Sequence, residues 1–145
     1  MKAARRSLAL VLMIATMTLS ACGGDAEQAL AEARDQAAEL GDDISSAVDS
    51  AREQIEDVGA SAADAEEALD DAQQAAQEAR DALDQAATEA GDEANQRLED
   101  ARAGLEEAET KLDSAKETVP ESVQNTLDDI RSQLAELRDR IDEAL

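Results

Sequence analysis

Between Val48 and Ala90, thirteen successive positions spaced alternately three and four residues apart are all apolar. A 3.5-residue period sustained this long is the seam of a coiled coil, because it keeps one stripe of the helix facing a neighbour. The a positions are Val48, Ile55, Ala62, Leu69, Ala76, Leu83 and Ala90, and the d positions are Ala51, Val58, Ala65, Ala72, Ala79 and Ala86. Upstream, Leu30, Ala37 and Ile44 take a, Ala26, Ala33, Leu40 and Ala47 take d, and the phase slips by four residues around Gly41. Downstream, a one-residue skip near Gly91 leads to Leu98, Leu105, Leu112 and Val119 at a, with Ala94, Ala101, Ala108 and Ala115 at d. A second one-residue skip at Pro120 sets the last stretch, with Leu127, Leu134 and Ile141 at a and Val123, Ile130, Leu137 and Ala144 at d.

The seam decides between two readings that composition leaves open. The chain has no Phe, Tyr, Trp or His, and more than half of its 43% hydrophobic residues are alanine. Aromatic side chains dominate most globular cores, and alanine offers little area to remove from water, so a conventional core is not expected. Few bulky apolar residues with a formal charge of −23 would otherwise suggest disorder. Alanine, Glu, Leu, Gln and Arg are also strong helix formers, and the unbroken period selects helices.

Breakers lie at each change of phase. Gly91-Asp92 reads as a helix stop followed by a cap, and Thr118-Val119-Pro120-Glu121 as a capping box with an early proline. Gly59-Ala60-Ser61 is a further candidate break through which the register passes undisturbed. A single helix from Cys22 onward would extend about 185 Å. The expected fold is instead all-α, an elongated alanine-rich coiled coil folded back as a helical hairpin or bundle. Residues 92–118 and 121–145 match in length and form the natural C-terminal hairpin. Residues 26–118, with breaks near 41 and 91, hold 11 Leu, Ile or Val, whereas the 27 residues 119–145 hold eight, so the last helix should pack best.

The first residues have a different character. Met1–Arg6 is basic, and Leu8–Leu19 is an apolar run broken only by threonines. About 12 residues is too short for the ~20 of a spanning helix and suits the apolar region of a secretory signal. Then come Leu19-Ser20-Ala21-Cys22 and Gly23-Gly24-Asp25. Leu19, Ser20, Ala21 and Cys22 resemble the lipobox of bacterial lipoproteins, in which the cysteine is diacylated and the chain cleaved just before it. The resemblance covers roughly the first 24 residues. It implies a signal peptide over 1–21, a lipidated Cys22, and a short tether over 22–25.

Cys22 is the only cysteine, so it has no internal disulfide partner. One acyl chain anchors only marginally, and this pathway supplies two or three. Arg5-Arg6-Ser7-Leu8 loosely resembles a twin-arginine signal, but Ala4 and Ala9 depart from that pattern, and general secretion is the expected route. The site would be the outer face of the cytoplasmic membrane or the outer membrane, according to the organism.

Chemistry is constrained by what is missing. Without His or a second Cys, Cys–His and Ser–His–Asp catalysis and typical zinc sites are excluded. The acidic pairs Glu66-Glu67, Asp70-Asp71, Glu106-Glu107 and Asp128-Asp129 read as a solvated face rather than a shaped acid–base site. From Cys22 onward ten Lys and Arg oppose all 36 Asp and Glu, a balance that repels nucleic acid and anionic headgroups. A lipobox followed by an alanine-rich heptad repeat is also similar to murein-lipoprotein-type proteins, and Ala94-Asn95-Gln96-Arg97-Leu98 resembles a segment near their end. The chain ends in Glu143-Ala144-Leu145, without the terminal lysine of that family, so peptidoglycan attachment does not carry over.

These readings lead to a non-enzymatic, membrane-anchored envelope lipoprotein acting as a spacer, scaffold or interaction module. No cofactor is expected beyond covalent diacylglycerol, with or without an N-acyl chain, on Cys22, and no small-molecule substrate or nucleic acid. The interaction seam would be Val123, Leu127, Ile130, Leu134, Leu137 and Ile141, binding a second copy or a helical envelope protein. The alternatives are an apolipoprotein-like amphipathic protein on lipid surfaces and an acidic divalent-cation binder.

Overall fold

Chains this rich in alanine and glutamate gain helix at almost every residue, and tertiary contacts decide only where the helices stop. In a computed structural model, which describes residues 24–58, 63–89 and 91–145, four helices follow one another. They are α1 Gly24–Val58, α2 Ala63–Thr88, α3 Asp92–Ala115 and α4 Glu121–Ala144, with one 3-10 turn, Lys116–Thr118, before α4.

Cross-helix pairs fix their directions. From Arg34–Asp84 through Asp42–Arg80 and Ser45–Gln73 to Arg52–Asp70, contacts advance along α1 as they retreat along α2. Arg102–Asp142, Glu109–Arg138 and Asp113–Arg131 do the same for α3 and α4. α2 packs on α3, α1 closes the ring on α4, and α2 also reaches α4 across the diagonal. The result is an up-down-up-down four-helix bundle.

The heptad seam becomes its interior. Wherever side chains are described from Val48 onward, the a and d residues are buried, except Ala86 and Ala144, which are partly covered. α4 contributes the bulkiest face, and Val123, Leu127, Ile130, Leu134, Leu137 and Ile141 each have 0% exposure. α2 buries a third stripe, Ala68, Ala75 and Ala82, besides its a and d residues. It touches three helices, so a two-position seam cannot cover its contact surface.

Several local expectations are corrected. The chain does not break near Gly41, because α1 runs through it as one helix of 35 residues. The four-residue slip is absorbed there as a local unwinding of the seam, from Ala33 and Ala37 to Ile44, Val48, Ala51 and Ile55. Gly41 serves close packing instead: a methyl group at this position would overlap Arg80 Cδ. The first reversal falls between Val58 and Ala63, at a break that leaves the register unmarked. The expected tether over 22–25 is also shortened, since α1 begins at Gly24.

Capping differs as well. Gly91, with φ of 144°, is itself the N-cap of α3, and Asp92 is the first helical residue, where its charge meets the positive end of the helix. The capping box at Thr118 does not form. Thr118 Oγ1 donates back to the Ala115 carbonyl, and the Pro120 carbonyl accepts from the Val123 and Gln124 amides.

Candidate functional site

Leu19, Ser20, Ala21 and Cys22 lie outside the described residues. What the structure supplies is the body that Cys22 precedes. The other helices have 24 to 26 residues, so α1 is too long for the bundle. Ala33 is its first core residue, and Gln28, Ala29, Ala31 and Glu32 are exposed. With Arg34 paired to Asp84 and α2 ending at Thr88, the residues before the half-buried Leu30 rise about 9 Å past the end of α2. They project from the end where α2 and α4 finish and α3 begins. A group attached before Gly24 is therefore held at one pole of the bundle, away from its long sides.

The proposed interaction seam requires a correction. Val123, Leu127, Ile130, Leu134, Leu137 and Ile141 do come together on one face of α4, as the period requires, but that face is the inside of this chain's own bundle. They are core residues, and a partner could reach them only after the bundle opened. The physical reason is that three other helices of the same chain offer matching seams at far higher effective concentration than a second molecule. Among the described residues, Leu145 is the one large hydrophobic left exposed.

Polar side chains missed by the period define the surface between helices. Three α1–α2 ion pairs, Arg34–Asp84, Asp42–Arg80 and Arg52–Asp70, clasp the first hairpin. Arg102–Asp142, Arg131–Asp113, Arg138–Glu109 and Lys116–Asp128 clasp the second. Between hairpins, Lys111 Nζ reaches Asp71 at 2.6 Å, and Gln54 exchanges hydrogen bonds with Thr126. The acidic pairs thus supply specific partners: Asp70, Asp71, Glu107 and Asp128 each receive a cation. Their partners lie up to 40 residues away in sequence, except Lys111 beside Glu107, so only the topology could reveal most of them. Glu136 and Arg140, one turn apart on α4, also pair at 3.6 Å.

Two of these groups have displaced titrations. Burial pushes the Glu109 carboxyl above its ordinary value of 4.5 against the opposing pull of Arg138, 2.9 Å away, and Arg131, while Glu106 and Asp139 add repulsion. Hydrogen bonds to Asp71 and Glu107 raise the Lys111 ammonium above its ordinary 10.5. Both shifts belong to interhelical pairs rather than to an acid–base couple facing a substrate.

The hollows on the surface lie mainly along α2 and α3. One, of about 400 Å³, is bordered by Asp81, Ala82, Gln85, Arg97 and Asp100. Another is floored by Ala75, Gly104 and Ala108, and a third by Ala68 and Ala115. All are open, alanine-floored grooves between helices. No group of three or more His, Cys, Asp or Glu among the described residues is arranged to hold a metal ion. No described helix is long and apolar enough to cross a membrane.

No family model, curated protein or solved structure matches this chain. Its functional reading therefore rests on its own residues.

Proposed function

We propose that this chain is a non-enzymatic, lipid-anchored protein of the bacterial cell envelope, a helical bundle held at a membrane surface as a spacer or scaffold. The observation that carries the proposal is Leu19-Ser20-Ala21-Cys22, directly after a basic and then apolar N-terminal stretch. Cleavage before Cys22 would leave one intervening residue, Gly23, between the acylated cysteine and the first residue of α1. The acyl chains insert in the outer face of the cytoplasmic membrane or in the outer membrane. The bundle then stands off that surface on the projecting turns of α1. Its acidic sides repel anionic headgroups, which favours an upright body over one lying flat.

The spacer reading agrees with a surface that displays charge and keeps its large apolar groups inside. Binding to a lipid surface through the heptad faces would first require the bundle to open. The proposal is tested by growing cells with an alkyne fatty acid and analysing the purified chain by mass spectrometry. A mature N-terminus at Cys22 carrying diacylglycerol, with Cys22→Ala unlabelled and uncleaved, is the expected result. Label retained by Cys22→Ala, or a mature N-terminus elsewhere, overturns it.

A further inference from the structure

The interface between α2 and α3 is the most extensively packed in the bundle, yet its polar rims are incompletely matched. α3 turns Arg97, Gly104 and Lys111 toward α2 at seven-residue spacing. Along α2, Gln85, Glu78 and Asp71 stand opposite them in antiparallel order. Lys111 Nζ meets Asp71 at 2.6 Å. Seven residues earlier in α3 the matching place is held by Gly104, which has no side chain to offer. Glu78 faces that gap. Its Oε1 accepts from Gln74 Nε2 at 2.8 Å, and its Oε2 lies 3.9 Å from where a Cβ on Gly104 would stand. Among the described residues no cation pairs with Glu78, nor with Asp81 or Asp100 beside it.

Two hollows meet at Glu78. The one over Gly104, about 150 Å³, is floored by Ala75 and Ala108 and ends at Asp71, Glu107 and Lys111. The other, about 400 Å³, passes over Ala82 and Ala101, between Asp81 and Asp100, to Gln85 and Arg97. Gln85 Oε1 is buried and receives no hydrogen bond. The four floor alanines are at most 5% exposed, so another helix would find almost no apolar area to cover. Nor are acids among the described residues grouped to hold a metal ion. The slot suits a thin chain that carries positive charge at intervals.

We propose that the α2–α3 groove binds a linear aliphatic polyamine. One ammonium group fills the gap over Gly104 and donates to Glu78 Oε2. A second lies between Asp81 and Asp100 and donates to Gln85 Oε1. From Glu78 to Gln85 is two helical turns, about 10 Å, which the methylenes cross on the alanine floor. Hydrogen bonds from a charged donor are the strong ones, and each of these acceptors otherwise lacks a cation. Lys111 at one end and Arg97 at the other bound the slot with positive charge, so the ligand sits between two resident cations. It also relieves the repulsion between like-charged rims.

The test is calorimetric titration of the purified protein with spermidine in about 150 mM NaCl, where long-range attraction is screened. One saturable site is expected. Gly104→Lys puts an ammonium of the chain itself into the gap and should weaken binding at least about tenfold. Glu78→Gln leaves the hollow open, removes its carboxylate, and should weaken binding by about as much. Ser50→Lys adds the same charge to the exposed face of α1 and should change binding by less than about twofold. Equal weakening by Gly104→Lys and Ser50→Lys, many equivalent sites, or no binding overturns the proposal. Magnesium binding as tightly as spermidine would reduce the effect to counterion attraction and also overturns it. So does tighter binding of a tetralysine peptide, which would give the groove to a basic protein segment. Circular dichroism on each variant confirms that the helices are retained.

Discussion

Leu134 has no exposed surface in the middle of α4, whereas Leu145, at its end, is half exposed. Truncating a fully enclosed leucine loses its transfer free energy and leaves a cavity, and a neighbouring alanine seam has few atoms with which to refill it. Leu134→Ala should therefore lower stability by about 3 kcal/mol, while Leu145→Ala should stay within about 0.5 kcal/mol, as read from urea denaturation. Equal effects would mean that α4 is not seated in the core. Glu109 offers a test with a defined sign. Because its folded-state carboxyl is raised by burial, the native state retains that proton to higher pH than the unfolded chain. Its contribution is favourable in acid and is lost as pH rises through the ordinary and then the folded value. Urea midpoints for wild type and Glu109→Gln, compared between about pH 4.5 and 7, should shift progressively in favour of Gln as pH rises. The opposite trend would show that Arg138 and Arg131 outweigh burial.

At the scale of elements, three glycines separate helix propensity from packing. Gly104 is on α3, and a methyl there would meet only Glu78 Oε2 at 3.9 Å, so Gly104→Ala should stabilise by about 0.5–1 kcal/mol. At Gly41 the same gain is opposed by displacement of Arg80 and loss of its 3.0 Å pair with Asp42, so Gly41→Ala should gain distinctly less. Gly91 occupies positive φ, and Gly91→Ala should destabilise by about 1 kcal/mol through backbone strain alone. Thermal melts of the three variants check the ranking, and a similar gain at Gly41 and Gly104 would refute the close packing of Arg80. The heptad pattern is enough to mark the inward face of each helix. It does not show that Gly41 lies inside a helix, because a phase slip reads the same whether the chain bends or the seam unwinds. Nor does a two-position repeat reveal Ala68, Ala75 and Ala82, although alanine every seven residues is their signal.

For the molecule as a whole, charge and shape give the remaining expectations. With 36 acids against 13 bases, self-repulsion should outweigh the ion pairs, so adding salt should stabilise the bundle. The melting temperature should rise by several degrees, about 5 °C, between roughly 10 and 150 mM NaCl; a fall would show that the clasps dominate. Residues 24–145 should also scatter as a short body whose longest dimension follows α1, about 55–60 Å, far from the ~185 Å of an unbroken helix. A monomer near the longer value would refute the bundle.

The sequence alone determined that this chain is helical and, apart from the Ala68, Ala75 and Ala82 stripe of α2, which face of each helix from Val48 onward turns inward. Helix propensity and a 3.5-residue period are local properties, and neither depends on what the seam meets. It also contained the lipobox-like Leu19–Cys22 segment, whose proposed role is read by chemistry rather than by fold. Only the tertiary structure decided that the seam of α4 meets α1, α2 and α3 of its own chain, which turned six candidate interface residues into core. The same topology assigned the scarce cations to acids far away in sequence. A heptad repeat specifies that a face must be covered, and the bundle specifies by what.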